Sequence, residues 1–441
     1  MKKKILLLYT AMSVYSSFSQ PQQTVKWTLR ECISYALENN IQIKADKLSL
    51  MSSIEDVKEA EAALFPSLSL STTHKGGYTP FAKKEQNTGN KLSYTGDYGL
   101  NASWTIWNDN KNKNNIKLKK LTSKKAQLSV NEKVNSIQEQ ILELYLKILY
   151  TAEAVNVNEQ ILDISRSNAE RGEELYKVGS LSKTDFSQLK AQVASDEYNL
   201  VNIKGQLEDF KLQMKDLLEL DYKCDFNVIT PVSSADNALV KALDVEVVIA
   251  NALASRPEIQ NAFLGIESGN LNVDIAKASL KPTINLSGGI GTGTVNGVGQ
   301  TWSGQMKNNL NSSLGVTLSI PIFDNRSAKT AVNKAKAELG LLKLETEDVR
   351  KNLELNIQRF YINAQTNQER FKSALISVQS AKDSYSLLSE QFSLGLKNIV
   401  ELTNAKTVLI NAQQNCLESK YTAILYLQLL RFYNGEDINL I

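Results

Sequence analysis

The sequence predicts an α+β fold made of two tandem structural repeats, in which long coiled-coil helices carry short β-hairpins. Two observations lead to this prediction. Proline is absent from residues 81–230 and 322–441, as expected of long uninterrupted helices, whereas 13 of the 21 glycines lie in two short windows, 76–99 and 288–315. In addition, several local features of the first half recur 216 residues later without a gap.

The predicted repeat rests on five pairs of matching segments at this one offset. They are residues 36–37 with 252–253, Ile43 with Ile259, Pro66 with Pro282, residues 103–107 with 319–323, and residues 176–179 with 392–395. We therefore divide the chain into a signal peptide (1–19), a first repeat (20–219), a linker or equatorial segment (220–243), and a second repeat with a short C-terminal tail (244–441).

The N-terminus has the pattern of an export signal. Three lysines at positions 2–4 precede an apolar segment that ends near Val14, and the small residues Ser17 and Ser19 follow. We predict cleavage after Ser19. Removing residues 1–19 takes away three lysines and no acids, so the 50 basic and 47 acidic residues of the whole chain become 47 of each. The mature chain is predicted to be neutral.

Charge and composition exclude several classes of function. A formal charge of +3 over 441 residues gives no support to nucleic-acid binding through bulk basic charge. The longest apolar runs, such as residues 5–9, fall far short of the ~20 residues that a membrane-spanning helix needs. Three cysteines without CxxC spacing and a single histidine, His74, supply neither a metal site nor a Cys–His catalytic pair. We expect no enzyme activity, no cofactor and no bound metal.

Strict alternation predicts a two-sided strand in each repeat. In residues 94–107 the larger apolar residues lie on one face and small polar residues on the other, and residues 310–320 repeat the pattern. Shorter strands are expected after Pro66 and Pro282, with glycine-rich loops at 72–93 and 288–309 closing one hairpin per repeat. The residues on the apolar face, which we predict to face lipid if the strands form a membrane barrel, are Tyr94, Tyr98, Leu100, Trp104, Leu314, Val316 and Leu318.

Two architectures are consistent with such strands. In a soluble sandwich the apolar face packs on a second sheet, whereas in an outer-membrane barrel it contacts lipid and the polar face lines water. Aromatic residues at 94, 98, 104 and 107, in a chain with an export signal, favour the barrel because such residues gather at membrane interfaces. Four strands leave two open edges that lipid does not tolerate, so several chains must close one barrel.

The remaining sequence predicts coiled coil. Apolar residues step by three and four from Phe186 to Met214, with Asp196 as one polar member, and the pattern recurs from Leu402 to Leu430 and from Phe371 to Phe392. The helical tract at 108–178 is predicted to be about 105 Å long, and those at 28–64 and 183–219 are each about half that length. Each repeat is thus a rod with a β-hairpin partway along and a helical hairpin tip at its far end.

This arrangement resembles the TolC-like outer-membrane efflux proteins. The most specific likeness is in the paired tip segments, residues 176–189 (YKVGSLSKTDFSQL) and 392–405 (FSLGLKNIVELTNA), and in the strand endings before Asn108 and Asp324. The resemblance implies a homotrimer in the outer membrane of a Gram-negative bacterium, in contact with its lipid. Twelve strands, four per chain, would form one β-barrel, continuous with a periplasmic α-helical barrel of coiled coils.

The resemblance also implies a function. The protein would be the passive exit duct of a tripartite efflux or type I secretion system, without chemistry of its own. A periplasmic adaptor (membrane fusion) protein would couple it to an inner-membrane pump of the RND or ABC type. The alternative is a periplasmic coiled-coil adaptor or scaffold, which also combines helical hairpins with β-structure but needs no lipid-facing aromatic band.

The tips are expected to combine capping with docking. Gly179 and Gly395 suit left-handed helix ends, and the pairs Ser182/Asp185 and Asn398/Glu401 have the spacing of capping boxes. The residues predicted to dock the adaptor are Val178, Gly179, Ser180, Leu181, Leu394, Gly395 and Leu396.

The resemblance further implies a constriction at the periplasmic entrance. The corresponding positions here are Phe392, Lys397, Glu401 and Asn404, together with Tyr176 and Asp185 of the first tip. Phe392 lacks a hydroxyl and Asn404 lacks a charge, so the sequence departs from the family's tyrosine- and aspartate-based network. Any closure is expected to depend on Glu401 with Lys397 and on packing of Phe392.

Overall fold

The computed structural model describes residues 26–78, 80, 92–229, 237–297 and 299–439, so the predicted signal peptide lies outside the described residues. The elements, numbered in chain order, are β1 (Lys26–Trp27), α1 (Leu29–Asn39), α2 (Ile41–Ala62), β2 (Ser67–Tyr78), β3 (Leu92–Trp107), α3 (Lys111–Lys177), α4 (Lys183–Leu218), β4 (Asn227–Val228), α5 (Val245–Ser255), α6 (Pro257–Ala278), β5 (Thr283–Val295), α7 (Trp302–Asn308), β6 (Asn311–Ser319), α8 (Ser327–Ser393) and α9 (Ile399–Tyr433).

The single helix expected over residues 28–64 is two helices, which corrects the prediction. Thr28 caps α1 in a reciprocal capping box with Glu31. Asn40 then leaves helical geometry, with ψ at 127°, and its side chain accepts hydrogen bonds from the backbone N–H groups of Gln42 and Ile43. The same side chain donates to the carbonyl of Leu217, 3.0 Å away in α4. A buried asparagine therefore ends one helix and begins the next.

The two long helices, α3 and α8, each contain 67 residues, which corresponds to about 100 Å. Each follows two consecutive non-glycine residues in the left-handed region, Asp109 and Asn110 in one case and Asn325 and Arg326 in the other. Asparagine and aspartate tolerate this region better than most residues. Both helices thus start from the same backbone geometry, directly after the strand region of their half of the chain.

The strands form a four-stranded antiparallel sheet in the order β2–β3–β5–β6. The predicted loops at 72–93 and 288–309 were too long, because β2 continues to Tyr78, β5 continues to Val295, and α7 lies in the second loop. Backbone pairing runs without a break from Ser67–Ser103 to Tyr78–Leu92. The apolar alternation stops at Leu70, so the sequence pattern ended before the strand did.

The main core lies where α1, α3, α4 and α9 meet. The linker residues Phe226 and Ala238 are buried in it, so the described parts of this segment pack on the helices. β4 pairs with β1, and the Tyr145 hydroxyl donates to backbone carbonyls on both sides of that pair, at Trp27 (3.2 Å) and Ile229 (2.8 Å). The predicted coiled-coil seams are confirmed, because every member of all three is buried or half-buried.

Candidate functional site: the two-faced sheet and the helical tips

Strand register sorts the sheet residues onto two chemically different faces. Leu70, Leu100 and Ile290 lie in one row across three strands, and Trp104, Leu286 and Val316 lie in another. All seven residues predicted to face lipid lie on this apolar face. The opposite face carries serine, threonine, asparagine, aspartate and glycine, represented by Ser69, Asn101, Gly289 and Ser313 in one row. The chain thus presents an apolar surface and a hydrophilic surface on opposite sides of one sheet.

A β-bulge places a second tryptophan on the apolar face. The register shifts between Thr105 and Trp107, so that Trp107 pairs with Ile284. Strict alternation had put Ile106 on that face instead. The extra residue in β3 turns Trp107 to the same side as Trp104. The Trp104 indole N–H donates to the carbonyl of Leu64, 2.8 Å away. Both rings lie at the end of the sheet nearest the long helices.

The two tips have the same C-terminal cap. Gly179 and Gly395 have φ values of 77° and 73°. After α3, the N–H groups of Ser180 and Gly179 donate to the carbonyls of Leu175 (2.8 Å) and Tyr176 (3.0 Å), and the equivalent bonds follow α8. This is the Schellman arrangement, which requires a left-handed residue at the glycine position. The predicted capping role of both glycines is confirmed.

The acids of the predicted capping boxes contact side chains instead of the cap backbone. Ser182 and Asn398 accept from the N–H groups of Asp185 and Glu401, as expected of N-caps. The Asp185 carboxylate, however, accepts from the Ser182 hydroxyl at 2.7 Å, and the Glu401 carboxylate accepts from Lys397 Nζ at 2.6 Å. Glu401 and Lys397 are therefore paired at the surface of the second tip, while Asn404 is exposed nearby.

The predicted docking and constriction residues divide into exposed and packed groups. Val178, Leu394 and Leu396 are 74%, 67% and 70% exposed. Leu181 and Phe392, in contrast, belong to an apolar cluster formed by α3, α4, α8 and α9 just behind the tips. Tyr176 stacks on Phe186, with ring centres 5.4 Å apart. Large apolar side chains are thus exposed at the extreme end, and Phe392 packs in the cluster behind it.

A buried charged pair behind the tips was missed from sequence. Lys406 Nζ of α9 contacts the Asp196 carboxylate of α4 and the Ser165 hydroxyl of α3, and Gln192 donates to the second Asp196 oxygen at 2.9 Å. Lys406, Asp196 and Ser165 are all nearly fully buried. Burial lowers the pKa of the Lys406 ammonium, although Asp196 opposes this effect. The one acid within an otherwise apolar seam was the signal that a buried cation would be found opposite it.

Two further observations concern the described part of the chain. There, His, Cys, Asp and Glu side chains do not gather in any group of three or more that could hold a metal ion. None of the described helices has the length and apolarity needed to cross a membrane.

Replacing Gly395 with valine should strain the second tip. A Cβ at this position would have open space around it, with no neighbouring heavy atom within 4 Å, so the cost comes from the positive φ alone, roughly 1–2 kcal/mol. We expect the variant to insert normally but to export less, measured as cargo accumulation in intact cells beside the amount of protein in membranes. Gly205→Val, at an equally open helical position without positive φ, is the matched control. Equal export by the two variants would contradict a requirement for the left-handed glycine at the tip.

A sheet with one apolar and one hydrophilic face, attached to helices about 100 Å long, is the arrangement expected of an outer-membrane duct protein. The comparison with known families agrees. The chain belongs to the outer membrane efflux protein family, whose profile matches residues 32–218 and 248–436. The predicted resemblance and the outer-membrane location are therefore confirmed, and the adaptor or scaffold alternative is not supported.

Individual relatives and solved structures are similar along nearly the whole chain. Outer membrane protein TolC of Escherichia coli K12 is 21% identical over 450 residues, covering 96% of this chain and 85% of the relative. Among solved structures, the Campylobacter jejuni CmeC outer membrane channel superposes with a TM-score of 0.80 at 18% identity, covering 94% of this chain and 87% of that one. VceC of Vibrio cholerae gives 0.77 at 18% identity, with 93% and 97% covered. The fold is that of these channels.

Proposed function

We propose that the protein is the passive exit duct of a tripartite efflux or type I secretion system, and that it works as a homotrimer. The observation that carries the proposal is the two-faced sheet, whose outer strands β2 and β6 each pair on one side only among the described residues. In a membrane such edges must be paired, and the apolar face must meet lipid. Pairing β6 of one copy with β2 of the next satisfies both requirements.

The number of strands favours three copies. Two copies would give eight strands, and a barrel of that size is filled by its own side chains. Three copies give twelve strands, and the small polar face of the sheet then surrounds water.

The element bounds support two tandem repeats in each chain, because α3 and α8 begin and end 216 residues apart. The long helices of the three copies would continue the barrel into the periplasm as an α-helical barrel.

The tips are the proposed docking site for a periplasmic adaptor protein. Val178, Leu394 and Leu396 are exposed at the ends of the helical hairpins, where an apolar partner surface would cover them. The adaptor would couple the duct to an inner-membrane pump of the RND or ABC type, which supplies the energy. The duct itself needs only an open, hydrophilic path, and we assign it no chemical step. Glu401 and Lys397 remain the proposed polar residues of the entrance.

An arginine on the apolar face tests the proposal. Val316→Arg would place a charge toward lipid, at a cost of roughly 2–4 kcal/mol if the residue lies near the middle of the membrane. Thr317→Arg is the matched control, since Thr317 is the next residue along β6 and lies on the hydrophilic face. We expect Val316→Arg to abolish the trimer in outer-membrane extracts, by cross-linking, and Thr317→Arg to leave it intact. Trimers of equal yield in both variants would overturn the proposed membrane orientation.

A further inference from the structure

The short helix α7 fills a gap at the upper end of the sheet, the end far from the long helices. Pairing between β5 and β6 ends at Gly291 and Asn311, so the last residues of β5 extend past β6. The α7 segment takes over their free backbone groups. Asn309 donates to the Gly293 carbonyl at 2.6 Å, and the Val295 N–H donates to the Gln305 side-chain carbonyl at 2.7 Å. Side-chain amides thus replace the missing strand.

The helix lies on the apolar face of the sheet. The Thr292 hydroxyl, on that face, donates to the carbonyl of Met306 at 2.8 Å. The Trp302 ring meets the edge of Tyr98, with centres 6.4 Å apart. Tyr98 in turn contacts His74, which stacks on Tyr94. Tyr98, His74 and Tyr94 lie on the same face of the sheet as Leu100 and Trp104. The helix α7 is therefore on the side proposed to meet lipid.

The position of α7 along the strands matches a membrane boundary. Leu70, Leu100 and Ile290 form an apolar row, and the next row toward α7 contains Thr72, Tyr98 and Thr292. Eleven residues of β5 separate Ile284, which pairs with Trp107, from Val295, whose N–H donates to Gln305 of α7, about 37 Å along the strand. At the usual tilt of about 45° this is roughly 26 Å across the membrane, close to the ~25 Å apolar band of outer-membrane barrels.

The exposed side of α7 carries the residue type expected at such a boundary. Gln305 is buried against β5, whereas Trp302 is 59% exposed despite its contact with Tyr98. Tryptophan is enriched where acyl chains meet headgroups, because its ring is apolar and its N–H is polar. Lys307, on the exposed side, can approach lipid phosphate.

We propose that α7 is an interfacial anchor, held on the outer surface of the barrel by β5 and Tyr98, with Trp302 inserted at the headgroup boundary of the outer leaflet. The partner is the lipid surface itself. The anchor would fix the height of the barrel in the membrane at the edge of each chain's sheet. This inference rests on the proposed function, since only a membrane-embedded sheet brings lipid to this face.

Quenching of tryptophan fluorescence by brominated lipid tests the anchor. The chain has four tryptophans, at 27, 104, 107 and 302. One full-length variant retains only Trp302 and a second retains only Trp104, with phenylalanine at the other positions. Each is reconstituted into phosphatidylcholine vesicles brominated near the headgroup, brominated deep in the acyl chain, or not brominated. We expect at least about twofold quenching of Trp302 by the shallow bromine, less by the deep one, and little by aqueous iodide.

The two variants separate the possible failures. If Trp104 is quenched by lipid while Trp302 responds only to iodide, the anchor is wrong and the proposed membrane orientation stands. If brominated lipid quenches neither residue, the proposed function fails as well. Should the multiple substitutions prevent folding, the native chain is compared with Trp302→Phe. The signal lost on that single substitution must then carry the shallow quenching, and its absence would overturn the anchor.

Discussion

Replacing Lys406 with methionine should destabilise the helical part of the chain by about 3–5 kcal/mol, the usual cost of leaving a buried charge without its partner. Lys406 is 5% exposed and Asp196 is 4% exposed, so water cannot replace the ammonium. Asp196 would retain Ser165 and Gln192 as donors, but neither carries charge. The measurement is the free energy of unfolding of the purified protein in detergent, by urea titration.

A double substitution provides the control. Lys406→Met with Asp196→Leu removes both charges and leaves apolar side chains of similar volume, so stability should return to within about 1 kcal/mol of wild type. Asp196→Leu alone should cost less than Lys406→Met alone, because a lysine whose pKa burial already lowers can lose its proton. Raising the pH toward the ordinary lysine pKa should then relieve this single variant. A double variant no better than Lys406→Met would mean that packing, and not charge, holds this site.

The position of the pair explains why it matters to the duct. Ser165 and Asp196 belong to the first helical hairpin, α3 and α4, and Lys406 belongs to the second, on α9. Loss of the Lys406–Asp196 pair should loosen the two tips relative to each other. Export by the Lys406→Met variant should therefore respond to temperature more steeply than that of the double variant.

Arg256→Met should have the second largest effect, about 3 kcal/mol of destabilisation. Arg256 is 5% exposed at the junction of α5 and α6. Its guanidinium donates to Glu139 of α3 at 2.9 Å and lies 3.6 Å from the centre of the Tyr433 ring. Methionine loses both interactions. Arg350→Met, which breaks a surface pair with Glu354 at the same distance, is the control and should change stability by less than about 1 kcal/mol.

This effect should depend on pH in a defined direction. Burial raises the pKa of Glu139, and Arg256 opposes that rise. Removing Arg256 therefore raises the folded-state pKa further above the unfolded value. A carboxyl group with a raised pKa costs stability when it is ionised, and that cost shrinks as the pH falls from the folded-state pKa toward the unfolded value. The deficit of Arg256→Met should be larger at pH 7.5 than at pH 5, measured by urea unfolding. A deficit unchanged by pH would assign the loss to the ring contacts alone.

Features set by local chemistry and periodicity could be predicted from the sequence. The glycines at 179 and 395 were predictable because a Schellman cap needs a left-handed residue, and the seams because their 3–4 spacing specifies one buried stripe. The division of the first helix was missed because Asn40 acts through a contact with Leu217, 177 residues away. The full strand lengths were missed because β2 and β5 continue with polar residues, where backbone pairing leaves no hydrophobic pattern.

In the candidate site, the position of Lys406 likewise depends on a contact between distant parts of the sequence. It lies beside the seam position Ala405, and its charge made an exposed location the simplest prediction. Only the packing of α9 against the other hairpin shows that it reaches Asp196, 210 residues earlier. The role of α7 likewise depends on where β6 stops pairing, which is a tertiary property.

The equal length of α3 and α8 constrains how this protein can evolve. Each has 67 residues between its left-handed start and its glycine cap. Deleting one residue from only one of them would withdraw its tip by about 1.5 Å and rotate it by about 100°. The apolar stripes would then no longer face each other. Viable changes in reach must therefore occur in both helices together and in whole heptads, so the distance spanned by the duct can change only in steps of about 10.5 Å.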